Sequence, residues 1–269
     1  MKQEEATRVL NSFEVYLKSN RVMLDTISTY MPVAKKFLEA ASELSEAEFR
    51  AYQANNYGVK NNTALRNHYA LMSLFKSQNV TVNIEPPPQE DHPNQPTINK
   101  DDMGRLILAI RAGGNSTERG LLALSSVYGL RRKELRLSTR ADLDFENKAI
   151  TIRAAKHGRE RKHLIPDCIF DFVSNYDFKL RSNMEYANTF WEIIKKAGLS
   201  LTPGHGWHSI RRALYTGFVD NEFDYFLRHE FMRWRIRGMD LDQIYSQFPP
   251  AEIDRRAFSK HPFLKHWGG

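Results

Sequence analysis

The feature that most constrains this chain is a run of prolines one third of the way along it. Val82-Asn83-Ile84-Glu85 leads into Pro86-Pro87-Pro88-Gln89-Glu90-Asp91-His92-Pro93-Asn94-Gln95-Pro96. Proline lacks the backbone N–H and fixes φ, so no helix or central strand continues through such a segment, and an extended, semi-rigid connector is expected. The chain is therefore read as two domains, residues 1–85 and 99–269, joined by a proline-rich linker over 86–98. With 269 residues there is enough chain for two cores.

Before the linker, apolar residues recur at helical spacing. Val9, Leu10, Phe13, Tyr16 and Leu17 mark one helix, and Ile27, Tyr30, Val33, Ala34, Phe37 and Leu38 a second. Ser45-Glu46-Ala47-Glu48 is a capping-box pattern that opens a third. A fourth is expected over 62–78. Basic residues such as Arg8, Lys18, Lys35, Lys36, Arg66 and Lys76 are spread over this bundle, as on any solvated helix face or on a DNA-binding one.

After the linker, helices are expected over 100–112 and from Thr117 through the apolar stretch Leu121–Tyr128, the latter opened by Asn115 with Glu118 at the third position. The β-branched run 149–155 and its return 161–166 read as a hairpin with a turn at His157-Gly158-Arg159-Glu160. Its tip is densely basic, with Lys156, His157, Arg159, Arg161, Lys162 and His163, which points to a phosphate partner. Helices follow over 167–176, 184–196, 208–219, 222–233 and 240–248. The fold class is thus mainly α with a small β-sheet or hairpin: a helical N-terminal domain and an α+β C-terminal domain.

Composition narrows the function classes. Thirty-nine Lys and Arg against 32 Asp and Glu give a formal charge of +7, which favours a polyanionic partner. One cysteine, Cys168, excludes an internal disulfide and argues against a cysteine-based zinc site. No run is long and apolar enough to span a bilayer, and Met1-Lys2-Gln3-Glu4-Glu5 lacks a signal peptide's apolar core, so a cytoplasmic or nucleoid-associated protein is expected.

His208 and Arg211, at i and i+3 on one helix, project from one face and suit two oxygens of one phosphate. Gly129-Leu130-Arg131 lies upstream and Asp242-Gln243-Ile244-Tyr245 downstream. In this order the pieces resemble the tyrosine recombinase (phage integrase) family. Gly129-Leu130-Arg131-Arg132-Lys133-Glu134-Leu135 is similar to the segment with that family's first catalytic arginine. Lys156 is similar to its hairpin lysine, His208-Ser209-Ile210-Arg211 to its His-x-x-Arg box, Phe231-Met232-Arg233-Trp234 to the box ending in His or Trp, and Asp242–Tyr245 to the nucleophile segment.

The resemblance implies a site-specific DNA recombinase or integrase, with a helical core-binding domain in residues 1–85 and the catalytic domain in 99–269. Its catalytic set would be Arg131, Lys156, His208, Arg211, Trp234 and Tyr245. Arg131 and Arg211 would offer charged forks to the phosphoryl oxygens, and His208 and the Trp234 indole further hydrogen bonds. Lys156 would protonate the leaving 5′-oxygen. Tyr245 would attack and form a 3′-phosphotyrosine that stores the bond for rejoining. Arg132, His157, Arg159, Arg161, Lys162 and Arg212 would contact DNA. No cofactor, metal or ATP is implied, and double-stranded DNA is the expected partner, with assembly as a dimer or tetramer on paired sites.

Some assignments stay open. His229 rivals Trp234, although Trp234 stands at the better distance from Arg211. Arg132 rivals Arg131. The interval from Trp234 to Tyr245 is longer than the family's usual one, and that from Lys156 to His208 is shorter than in many members. Alternatives are a DNA-binding protein of this fold without catalysis, a type IB topoisomerase-like relaxing enzyme, and, as a poor fourth, a metal hydrolase on His205 and His208. Glu134 reads as a brace for an arginine. The apolar tail residues Phe258, Phe263, Leu264 and Trp267 suit either a neighbouring protomer or the chain's own domain.

Overall fold

The computed structural model describes residues 1–56, 61–88, 95–153, 159–234 and 248–268. The chain divides into two compact units, Met1–Pro93 and Asn94–Gly269.

The first unit is built from four helices, α1 Gln3–Ser19, α2 Leu24–Ala40, α3 Glu46–Asn55 and α4 Asn61–Ser77. The first two bury apolar stripes at helical spacing, Val9, Phe13 and Leu17 on α1 and Ile27, Val33, Ala34, Phe37 and Leu38 on α2. Phe37, Phe49 and Phe75, all fully buried, form the centre, with ring centroids 5.6 Å apart for Phe37–Phe75 and 5.4 Å for Phe49–Phe75. Each such ring contributes about 1.5–3 kcal/mol by leaving water. The capping box of α3 forms by half. Ser45 Oγ accepts from the Glu48 amide at 3.4 Å, while the Glu48 carboxylate turns to Ser42 Oγ at 2.6 Å.

The second unit is organised around α6, Ser116–Tyr128, which follows α5, Lys100–Gly113. Every residue from Gly120 to Tyr128 is buried, as expected for a helix apolar on all sides. Its N-terminus carries the full box: Asn115 Oδ1 accepts from the Glu118 amide and Glu118 Oε2 from the Asn115 amide, both at 2.9 Å. Gly129 ends it with φ of +60°, a left-handed turn that side chains disfavour, and a Cβ there would meet Met232 Cε at 2.9 Å. That turn delivers Leu130 to the core and Arg131 to the start of α7, Arg132–Leu137.

A 3₁₀ turn at Arg140–Asp142 leads to a sheet of three antiparallel strands, β1 Leu143–Asp144, β2 Ala149–Ile152 and β3 Arg161–Leu164, in the order β1-β2-β3. The hairpin expectation holds for β2 and β3. The acidic stretch 142–144 supplies the short β1 strand, with Leu143 opposite Ile150. Asp142 does cap, accepting from the Thr139 amide at 2.7 Å.

Four helices follow the expected pattern: α8 Asp167–Ser174, α9 Asn183–Lys196, α10 Trp207–Asp220 and α11 Tyr225–Phe231. The helix expected over 240–248 falls almost wholly outside the described residues.

The tail forms α12, Pro250–Ser259, and α13, Leu264–Trp267, both packed on their own domain. Trp267 is 2% exposed and its Nε1 donates to Ser126 Oγ at 3.1 Å. Arg111 Nη1 donates to the carbonyls of His266, Trp267 and Gly268. In the single chain the tail sits against α6 and α8, through Ser126 and Phe172.

Candidate active site

Arg131 and Arg211, 80 residues apart in the sequence, meet at one buried carboxylate. Glu134 stands one turn into α7. Its Oε2 accepts from the Arg131 amide at 2.8 Å, and its Oε1 from Arg131 Nη1 at 2.7 Å. Arg211 Nη1 lies 3.8 Å from Oε2, and Arg233 Nη2 donates to the same oxygen at 3.2 Å. Glu134 is therefore the brace expected of it, for more than one arginine. Burial works to raise its pKa, but Arg233, the Arg131 amide and Arg211 together hold it below the usual carboxylate value.

Arg211 is 2% exposed. It donates to the Gly129 carbonyl, and through Nη2 to the Met232 carbonyl at 2.8 Å. Its guanidinium carbon lies 5.1 Å from the centroid of the Trp234 ring. Burial first, then Arg233 and Arg131, push its pKa well below the ordinary arginine value. Three guanidiniums around one carboxylate leave an excess of positive charge that favours an anion.

His208 lies one turn before Arg211 on α10 and is exposed. Partial loss of water around its ring, then the guanidiniums of Arg212, Arg211 and Arg131, push its pKa down to about 4. At neutral pH the ring is uncharged and offers one N–H.

Of the rival pair, Trp234 is the residue in contact with the arginine cluster. His229 is turned into the protein, with its Nδ1 2.7 Å from the Tyr225 carbonyl and its ring 4.1 Å from that of Tyr225. The His229 and Trp234 rings pack on each other with centroids 5.0 Å apart. Arg132 is exposed, in contrast to Arg131 on the cluster.

The expected DNA contacts divide. The side chain of Arg161 is 9% exposed and donates to Asp254 Oδ1 and the Pro250 carbonyl, both at 2.9 Å. It ties α12 to β3. Lys162, one residue on, points to the opposite face of the strand, is half exposed and pairs with Asp144 at 2.6 Å. Arg159 pairs with Glu230 at 3.1 Å. Arg212 turns toward the segment before α5, donating to the Pro96 carbonyl at 2.8 and 3.0 Å and to Gln95 Oε1 at 2.6 Å. Lys156, His157 and Tyr245 lie outside the described residues.

Three residues of this network are not marked as site residues by any motif: Arg233 stands in the sequence as the neighbour of Trp234, His163 as part of the basic hairpin tip, and Asp254 in the tail. Arg233 is 1% exposed, and both its terminal nitrogens donate to the Tyr128 carbonyl at 3.2 Å. Strand alternation was the available signal for His163, since residues 161 and 163 must share a face. Among the described residues no group of His, Cys, Asp and Glu has the arrangement of a metal site.

No protein-family model matches the chain. The tyrosine recombinase XerA of Thermococcus onnurineus (strain NA1) is 24% identical over 243 residues, covering 82% of this chain and 84% of the relative. A lambda integrase dimer bound to a COC′ core site superposes with a TM-score of 0.66 at 15% identity, over 91% of this chain and 97% of that one. The XerH site-specific recombinase bound to a palindromic difH substrate gives 0.62 at 18% identity, over 91% and 82%. The fold is that of lambda integrase and the XerH recombinase. In sequence and in fold the chain is similar to tyrosine recombinases and integrases.

Proposed function

We propose that the protein is a site-specific DNA recombinase that cleaves and rejoins duplex DNA through a covalent 3′-phosphotyrosine on Tyr245. The observation that carries this reading is the convergence of Arg131 and Arg211 on Glu134, with Trp234 against Arg211 and His208 one turn away. Such an array matches the charge that builds on phosphoryl oxygens during in-line attack.

In the proposed step the Tyr245 oxygen, its proton lost, bonds to phosphorus as the bond to the 5′-oxygen breaks. Arg131 and Arg211 stabilise the non-bridging oxygens, and His208 and Trp234 each supply a hydrogen bond. Lys156 gives a proton to the departing 5′-oxygen. Reversal by a new 5′-hydroxyl rejoins the strand and releases the tyrosine. All catalytic groups are side chains of the protein, so neither metal nor nucleotide enters the scheme. The exposed Arg132 and Lys162, with His157 and Arg159, are proposed DNA contacts. The protein is proposed to act as a dimer or tetramer on paired sites. The test is incubation with DNA carrying candidate sites and a search for a protein–DNA adduct that survives denaturation.

A further inference from the structure

Arg233 occupies an unusual backbone position. Its φ is +59°, in the left-handed region that non-glycine residues rarely adopt, so the surrounding structure must hold it there. The turn it forms carries two of Arg211's contacts: the Met232 carbonyl on one side of it and the Trp234 ring on the other. What happens at Arg233 therefore sets where Arg211 sits.

The side chain of Arg233 is held from two directions. Toward the cluster it binds the Tyr128 carbonyl and Glu134 Oε2, each at 3.2 Å. Away from it, Nη1 lies 3.3 Å from His163 Nε2. A guanidinium only donates, so His163 Nε2 must be the unprotonated acceptor. The proton is then on Nδ1, 3.0 Å from Asp254 Oδ1. His163 is fully buried between the rings of Tyr128 and Phe231, with centroids 5.3 and 5.2 Å away. Asp254, also fully buried, accepts in addition from Arg161 at 2.9 Å and from the Leu164 amide at 2.8 Å. The result is an unbroken chain of carboxylate, imidazole, guanidinium and carboxylate from helix α12 to the arginines of the site.

We propose that Arg233, held from behind by His163 and Asp254, is a positioning residue for strand cleavage, fixing the turn that presents the Met232 carbonyl and Trp234 to Arg211. The inference rests on the function proposed above and adds to it residues that touch no reacting atom. It also makes the seating of α12, the first helix after the nucleophile segment, a condition for an assembled site.

The experiment compares wild type with His163→Phe, which keeps the ring packing and removes both hydrogen bonds, and with Asp254→Asn and Arg233→Lys. Adduct formation is followed in single turnover on ordinary DNA, and on DNA in which a methyl group replaces one non-bridging oxygen of the scissile phosphate. The methyl substrate lacks the negative charge that a misplaced Arg211 fails to stabilise. Misplacement of a catalytic group by about 1 Å costs about a hundredfold in rate. His163→Phe should therefore cleave ordinary DNA about a hundredfold more slowly than wild type, bind it nearly as well, and cleave the methyl substrate within a fewfold of wild type.

Equal loss on both substrates, or a loss that follows the fraction folded in a thermal melt, would overturn the proposal in favour of a purely structural network. So would wild-type rates in all three variants. If Arg233→Lys does not fold, the near-isosteric His163→Phe and Asp254→Asn decide. Absence of an adduct from wild type would instead count against the proposed function, and is distinguishable from these results.

Discussion

Arg211 lies across the face of Trp234, its guanidinium carbon 5.1 Å from the ring centroid, and the indole packs in turn on Tyr215 at 4.9 Å. This stack separates Trp234 from its rival. Trp234→Ala removes both a hydrogen-bond donor and the surface that holds Arg211. Loss of one transition-state donor lowers turnover by about 10²–10³-fold, and cleavage should fall by that order with DNA affinity little changed. His229→Ala should instead lower stability, since its ring packs against Tyr225 and Trp234. Single-turnover cleavage and thermal melts on the two variants give the comparison.

Glu134→Gln should be severely destabilising. The carboxylate is 1% exposed and is the acidic partner of Arg131, Arg233 and Arg211. Removing one side of a buried ion-pair network costs about 3–5 kcal/mol. A denaturant titration should show the midpoint falling, with the slope unchanged if unfolding stays two-state.

Acid should weaken the second unit before it reaches the carboxylate range. His163 is fully buried and His261 nearly so, and burial pushes the pKa of each down from 6.5 to about 4. Between these values the unfolded chain binds protons that the folded one refuses, so stability falls as pH falls through that window and levels off below about 4. The slope is about 1.4 kcal/mol per pH unit for each residue. His163→Phe or His261→Phe should flatten it in urea titrations at stepped pH.

The tail prediction concerns stability. Trp267 is almost fully buried and bonded to Ser126, and His261 Nε2 lies 3.0 Å from the Val127 carbonyl. Loss of a buried Trp side chain costs about 3–5 kcal/mol. Trp267→Ala should lower the melting temperature of the isolated protein at every concentration. A melting temperature unaffected by the substitution would mean that the tail's partner lies elsewhere.

Most of the framework was legible because local rules dominate there. The apolar periodicities and the Asn115–Glu118 box each act within a few residues. The pairing of Arg131 with Arg211 became legible only through the order of motifs, since nothing local joins residues 80 apart. The ion pair of Arg161 was not legible, because its buried partner Asp254 arrives 93 residues later. Arg233 was hidden likewise, because its partners Tyr128, Glu134 and His163 come from three other elements. The short β1 strand, two residues long, lies below what alternation reveals.

Cleavage should be indifferent to chelators and sensitive to salt. The catalytic groups proposed are side chains, so EDTA should leave adduct yield unchanged, and an absolute need for magnesium would point to other chemistry. Binding through Lys and Arg should weaken steeply as salt rises, which a filter-binding or anisotropy series would read.

The central claim is that Tyr245 is the nucleophile. The most direct measurement is mass-spectrometric mapping of the adduct formed on a cleavable site, for wild type and for Tyr245→Phe. The substitution removes one oxygen, so folding and DNA binding should persist. Wild type should carry the nucleotide on Tyr245, and Tyr245→Phe should form no adduct, even on a substrate with a bridging 5′-sulfur leaving group that rescues Lys156→Ala. An adduct that persists in Tyr245→Phe and maps to another residue, such as Tyr215 or Tyr225, would contradict the account.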